Sequence, residues 1–292
     1  MNEKLIEVRG QKIYVTSNGC NTLPVIVFLH GFTGSSATWT AIVEPLKDKF
    51  KTVTIDLTGH GKTMAPTNPN RYSMDEQIAD LEALFSELNL KSFTLVGYSM
   101  GGRIALAYAN KYPTKVLLLI LESASPGIKT ESERIERRKT DEMLAERIVK
   151  DGIPSFVEFW ESIPLFNSQK KLTAKIQNAV REERMSQSAT GLANSLMGIG
   201  TGSQPSYWNE LHTIKLPILL ITGEIDKKFV EIAQEMKKAF PSANHKTIKD
   251  SGHALHVENS TLFATMIEEQ VMKVINLRGK NYDTSMGNTT YI

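Results

Sequence analysis

Continuous apolar runs, separated by stretches of helical periodicity, constrain this chain more than any other feature. "PVIVFLHG" (24–31), "KTVTIDL" (51–57), "SFTLVGYS" (92–99) and "KVLLLILES" (115–123) show little apolar/polar alternation. A strand with one wet face alternates, whereas a strand covered on both faces does not, so these runs predict a sheet enclosed between helices. The covering helices are expected over 74–89, "MDEQIADLEALFSELN", and over 101–113, "GGRIALAYANKYP", where proline closes the pattern. Such β–α alternation gives an α/β fold with a mostly parallel, doubly wound sheet. "LPILLITGEID" (216–226) and "SANHKTIKD" (242–250) predict two later strands. With 292 residues, 41% of them hydrophobic, the chain can bury the core that such a sheet needs.

Between residues 123 and 216 no comparable β-run occurs. "ESERIERRKTDEMLAERIVKDG", "SFVEFWESIPLF", "LTAKIQNAVREERM" and "ATGLANSLMG" read instead as helices, broken at Pro154, Pro164 and Gly191. An insertion at that point is expected to lie over the carboxyl ends of the strands, where open α/β sheets bind ligands. The expected organisation is a core from 1–127, a helical cap over 128–210, a second core segment over 211–276, and a loose polar tail, "LRGKNYDTSMGNTTYI", at 277–292.

Thirty-four basic and 32 acidic residues leave a net charge of +2, so no global field points to nucleic acid or to an anionic membrane surface. A single cysteine, Cys20, cannot form an intramolecular disulfide, and "MNEKLIEVRG" lacks the apolar centre of a secretory signal. No apolar stretch reaches the roughly 18 residues of a membrane span. A cytoplasmic protein is expected, with monomer and homodimer both open.

Gly97-Tyr98-Ser99-Met100-Gly101 has the G-x-S-x-G pattern of a nucleophile elbow, with a strand run before it and a helical pattern after it. Small residues there permit a sharp turn that lifts a serine hydroxyl above the sheet. A hydroxyl is a weak base or nucleophile until histidine accepts its proton, and the histidine needs a carboxylate to hold its tautomer. The chain order around an elbow is Ser, acid, His. Asp226, after "LPILLITG", and His253, in "KDSGHALHVEN", fit that order at strand ends. Glu122 is a rival acid and His256 a rival base. "LHGFTGSS" (29–36) follows the first long apolar run, so the backbone N–H groups of Phe32 and Met100 are the expected oxyanion donors.

Two lookalikes fail on context. "DLTGHGKT" (56–63) carries Asp56 where a phosphate-binding loop requires its first glycine, and "GIGTG" (198–202) follows a helical stretch rather than a strand. The histidines show no metal-binding spacing, and one cysteine adds little, so neither a metal nor an organic cofactor is expected.

Arg103 stands one turn past Ser99, where aligned backbone N–H groups already favour negative charge. A cation there calls for an anion from outside the helix.

HGF, GHG, GYSMGGR, the late aspartate and the SGH segment together resemble the α/β-hydrolase superfamily over about residues 5–275. "GYSMGGR", "ESASPGIKTESERIERRKTDE", "FVEFWESIPLF" and "GLANSLMGIGTGSQPSYW" are further similar to the 2-succinyl-6-hydroxy-2,4-cyclohexadiene-1-carboxylate synthases, lyases of menaquinone biosynthesis. That resemblance implies an α/β-hydrolase fold with an inserted helical cap, and elimination of pyruvate from a cyclohexene bearing three carboxylates. It also implies substrate-binding roles for Arg103, Arg137, Arg181, Tyr98 and Trp160. Guanidinium suits carboxylates because its donors pair with them two at a time. Two other readings use the same residues: a carboxylesterase or carbon–carbon bond hydrolase, and a noncatalytic ligand-binding protein. The esterase reading fits Arg103 poorly, because a buried cation beside a neutral ester is costly.

Overall fold

Eight strands form one sheet in the computed structural model, which describes residues 2–286, with side chains through residue 277. They are β1 (Asn2–Val8), β2 (Gln11–Asn18), β3 (Val25–Leu29), β4 (Lys51–Ile55), β5 (Phe93–Tyr98), β6 (Val116–Glu122), β7 (Ile218–Gly223) and β8 (Ala243–Ile248). Their spatial order is β1-β2-β4-β3-β5-β6-β7-β8; β1 and β2 pair antiparallel, and every pairing from β4 to β8 is parallel. The helices are α1 (Thr40–Val43), α2 (Met74–Glu87), α3 (Met100–Lys111), α4 (Glu131–Ser162), α5 (Ala174–Met185), α6 (Ala189–Ile199), α7 (Lys227–Ala239), α8 (Leu255–Glu258) and α9 (Ser260–Met286).

The unalternating runs become strands apolar on both faces. In β3, Val27 and Leu29 join one core with Leu81, Ile104 and Met236, from α2, α3 and α7. Ile26 and Phe28 join the opposite core with Ile42, Phe263 and Ile267, from α1 and α9. Each such buried side chain contributes roughly 1.5–3 kcal/mol, which makes the central strands the rigid base of whatever sits at their ends.

The β1–β2 hairpin was not foreseen. Most of β1 is exposed, so it carries little apolar signal. Its Arg9-Gly10 turn, with φ of 48° and 73°, fits a two-residue hairpin whose twist matches the strands.

Helices α4, α5 and α6 lie between β6 and β7. Ile148, Phe156 and Val157 of α4 and Leu192 and Leu196 of α6 form a small core of their own, against which Phe32 of the sheet domain packs. The break near Pro154 is a kink inside α4, where Gly152 adopts φ 79°. Pro164 opens a 3-10 turn after α4. Gly191, expected as a break, instead lies in the first turn of α6, which Ser188 caps by accepting from the Gly191 N–H at 3.1 Å. Helix α9 runs on to Met286, into the segment expected as a polar tail, since adding a turn to an existing helix costs little. The rest of that segment lies outside the described residues. No helix among the described residues is long and apolar enough to cross a membrane.

Candidate active site

Strand β5 ends at Tyr98 and α3 begins at Met100, so Ser99 alone makes the turn, with φ 49° and ψ −107°. A non-glycine residue held there stores roughly 1–3 kcal/mol of strain. The flanking glycines explain how strand and helix come so close. A Cβ on Gly97 would lie 2.5 Å from the Gly101 carbonyl oxygen, and one on Gly101 would lie 2.3 Å from that of Leu29.

Asp226 follows β7 and performs two tasks at once. Its Oδ1 accepts from the Phe229 N–H at 3.4 Å, capping α7, while Oδ2 accepts from His253 Nδ1–H at 2.6 Å. Because the carboxylate offers only acceptors, Nδ1 carries the proton and Nε2 presents a lone pair. The Ser99 hydroxyl donates to that Nε2 at 3.2 Å. His253 is 2% exposed and lies against the Phe229 ring at 4.6 Å, which limits its orientation.

The rival acid and base pair with one another instead. The Glu122 carboxylate accepts from both the ring Nδ1 of His256, at 2.9 Å, and its backbone N–H, at 3.0 Å. His256 Nε2 contacts Thr38 Oγ1 at 3.1 Å, and its ring packs 4.5 Å from that of Tyr98. This buried pair thus backs Tyr98, while Glu122 also accepts the Ser99 N–H through its main-chain carbonyl at 2.9 Å. Burial, and after it the charge of Glu122, push the Tyr98 hydroxyl well above its ordinary range.

Ser99 and His253 open into a cavity of about 650 Å³ between sheet and cap. Phe32, Tyr98, Met100 and Trp160 line it. Met100 is the first residue of α3, so its N–H has no acceptor within the helix. Trp160 stands edge-on to Phe32 at 5.5 Å, and its buried Nε1–H has no partner.

The three arginines fare differently. Arg103 lines the cavity and donates to the Ile199 carbonyl at 2.7 Å and to the Gln204 side-chain oxygen. Both acceptors are neutral. Burial, then repulsion from Arg137, lower the Arg103 guanidinium to about 10, with the Asp141 carboxylate opposing them, which still leaves it charged at neutral pH. Arg137 also lines the cavity and donates from Nε to Asp141 at 2.8 Å.

Arg181 does not reach the cavity. Its side chain is 43% exposed, pairs with Glu161 and lines a separate depression on the cap. The residue turned inward is Arg184, one helical turn on, with a side chain 8% exposed. Its guanidinium lies 4.7 Å over the Phe166 ring and donates to Gln169 at 3.2 Å and Glu161 at 3.3 Å. It borders a small cavity of about 40 Å³ that shares Phe32, Tyr98 and Phe166 with the main one. Burial lowers its guanidinium from the ordinary value.

Glu183, beside it, was not foreseen either. Its carboxylate accepts from the Ser35 N–H at 2.8 Å and from the Ser35 hydroxyl at 2.6 Å, tying α5 to the loop that carries Phe32. Burial raises its carboxyl above the usual range. No local pattern separates this glutamate from its exposed neighbour Glu182.

A strained serine served by a histidine and an acid from the ends of later strands defines an α/β-hydrolase-fold protein, and residues 24–260 match the family described as alpha/beta hydrolase fold. A Bacillus subtilis (strain 168) protein named provisionally as a 2-succinyl-6-hydroxy-2,4-cyclohexadiene-1-carboxylate synthase is 46% identical over 260 residues, 89% of this chain and 94% of its own length. The synthase of that name from Salmonella paratyphi B is 32% identical, over 81% of this chain and 89% of its own. Among solved structures, MenH from S. aureus superposes with a TM-score of 0.86 at 40% identity, covering 89% of this chain and 98% of that one. An enol-lactonase from Burkholderia xenovorans LB400, with a TM-score of 0.79 at 19% identity, shares the fold. This chain therefore belongs to the 2-succinyl-6-hydroxy-2,4-cyclohexadiene-1-carboxylate synthase family of α/β-hydrolase-fold proteins.

Proposed function

We propose that this protein is a pyruvate-eliminating carbon–oxygen lyase. It converts 2-succinyl-5-enolpyruvyl-6-hydroxy-3-cyclohexene-1-carboxylate into 2-succinyl-6-hydroxy-2,4-cyclohexadiene-1-carboxylate in the cytoplasm, as a step of menaquinone biosynthesis. The observation that carries this reading is the pairing of a Ser99–His253–Asp226 line with a cavity cation, Arg103, whose hydrogen-bond acceptors are both neutral. A hydrolase of neutral esters has no use for such a cation, whereas a polycarboxylate supplies its missing counter-ion.

In the proposed mechanism, the Ser99 oxygen takes the ring proton made acidic by the succinyl ketone, and its own proton passes to Nε2 of His253. Asp226 keeps Nδ1–H in place and offsets the imidazolium charge. The C–H electron pair moves onto the ketone oxygen as an enolate, which the N–H groups of Phe32 and Met100 hold. Collapse of the enolate forms a ring double bond between C2 and C3, shifts the existing C3–C4 double bond to C4–C5 and breaks the C5–oxygen bond to the enolpyruvyl group. That group leaves as enolpyruvate, takes up the proton that the His253 imidazolium gives back and becomes pyruvate. No water is consumed. Arg103 holds a substrate carboxylate, Arg137, shared with Asp141, borders the same cavity and supports a second, and Tyr98 and Trp160 bound the ring. The test is to follow pyruvate release from the enolpyruvyl cyclohexene acid beside hydrolysis of a p-nitrophenyl ester. Ester turnover without pyruvate release would refute the lyase reading.

A further inference from the structure

The segment from Ile199 to Gln204, whose glycines resemble but do not make a dinucleotide fingerprint, is built around the cavity arginines. Gln204 is 1% exposed, and its side-chain oxygen accepts from the Arg103 guanidinium while the Ile199 carbonyl accepts from the same nitrogen at 2.7 Å. Gln204 Nε2 has no partner at all. An amide kept in the core for one acceptor contact, with its donor end unsatisfied, is an expensive way to fill space. The same segment reaches the second cation: the Gly202 N–H faces Asp141 Oδ2 at 3.5 Å, and Asp141 Oδ1 accepts from Arg137 at 2.8 Å. Gly202 makes that approach possible, because a Cβ there would lie 2.5 Å from the backbone nitrogen of Arg138.

What distinguishes Gln204 is its neutrality. A glutamate of the same shape would present the same acceptor and add an ion pair, and by ordinary stability logic would be the better partner for a buried guanidinium. It would also neutralise Arg103 before any ligand arrived. We infer that Gln204 is a positioning residue that orients Arg103 through a neutral acceptor and so leaves its charge free for a ligand carboxylate. The inference rests on the reading of the cavity as a polycarboxylate site, and it requires that isosteric substitution to glutamate keep the fold and lose the anion.

The test compares wild type, Gln204→Glu, Gln204→Met, Arg103→Met and the Arg103→Met/Gln204→Glu double variant. Two measurements are made: kcat/KM for pyruvate release, and calorimetric binding of propane-1,2,3-tricarboxylate, which cannot react. Gln204→Glu is expected to melt no lower than wild type, yet to lose at least about tenfold in kcat/KM and in tricarboxylate affinity. Gln204→Met should lose activity too, through a misplaced Arg103. In the Arg103→Met background the glutamate should add little further loss, because the residue through which it acts is gone. A merely structural Gln204 predicts the reverse: a stable, active Gln204→Glu and losses that add in the double variant, and either result overturns the proposal. Wild type that binds the tricarboxylate but releases no pyruvate would refute the proposed reaction and leave the Arg103 seat to be judged on binding alone. Wild type that does neither overturns both.

Discussion

Acid should destabilise this protein through two buried histidines that do not line the main cavity. His30 and His60 are buried, with ring centroids 5.2 Å apart. The Leu57 N–H donates to His30 Nε2 at 2.9 Å, so that nitrogen must stay unprotonated, and the Nε2 of His60 has no partner. Burial lowers His30 to about 4 against its hydrogen bond to the Gly31 carbonyl; burial and then repulsion from His30 lower His60 to about 3, opposed by the hydrogen bond to the Thr58 carbonyl and by the Asp56 charge. In the unfolded chain each imidazole takes up its proton near the ordinary histidine value of about 6.5. Below that pH the unfolded state therefore binds more protons than the folded one, and stability must fall as pH falls, until the folded-state rings protonate in turn. At about 1.4 kcal/mol per pH unit, going from pH 7 to pH 5 costs roughly 2 kcal/mol for each ring. His60→Gln removes one of them. Urea unfolding of wild type and His60→Gln, each at pH 7 and at pH 5, isolates the effect as a difference of differences. Wild type should lose about 2 kcal/mol more than the variant between the two pH values. Equal losses would refute the assignment of His60 as a ring kept neutral by the fold.

Ser99→Ala and His253→Ala should each cut pyruvate release by about a thousandfold or more, measured with a coupled pyruvate assay, with tricarboxylate binding retained. Arg103→Ala should lower kcat/KM by about a hundredfold, since a charge-assisted pair to a carboxylate is lost. Unchanged kcat/KM would remove Arg103 from the binding set. Arg181→Ala should leave the melting temperature within a degree or two of wild type, and activity within about threefold, as expected for an exposed ion pair. Arg184→Ala should lower the melting temperature by several degrees, because Glu161 and Gln169 lose a buried partner.

Much of the scaffold was legible because its signals are short-range. An unalternating apolar run has few ways to satisfy its backbone except inside a covered sheet, and G-x-S-x-G states its own steric requirement at Gly97 and Gly101. The β1–β2 hairpin escaped notice because an edge strand with wet faces carries little hydrophobic pattern. The α9 extension escaped because helix propagation asks for no apolar periodicity.

Choices among near-equivalent residues lay beyond the sequence. Arg181 and Arg184 lie on one helix about a turn apart and both pair with Glu161, and only the Phe166 ring and the Gln169 amide, brought from elsewhere in the cap, decide which one is buried. Asp226 and Glu122 both end strands, and His253 and His256 share one loop. Their pairing followed from which imidazole the sheet brings to which carboxylate. Gln204 had no local signature, since its role exists only where a loop from the cap meets a helix from the core. Sequence by itself determined the strands from β3 onward, the elbow and the kinds of side chain available, because these depend on backbone sterics and local burial. Tertiary structure alone decided which arginine, which acid and which amide occupy the site, because contacts among residues distant along the chain are set by packing.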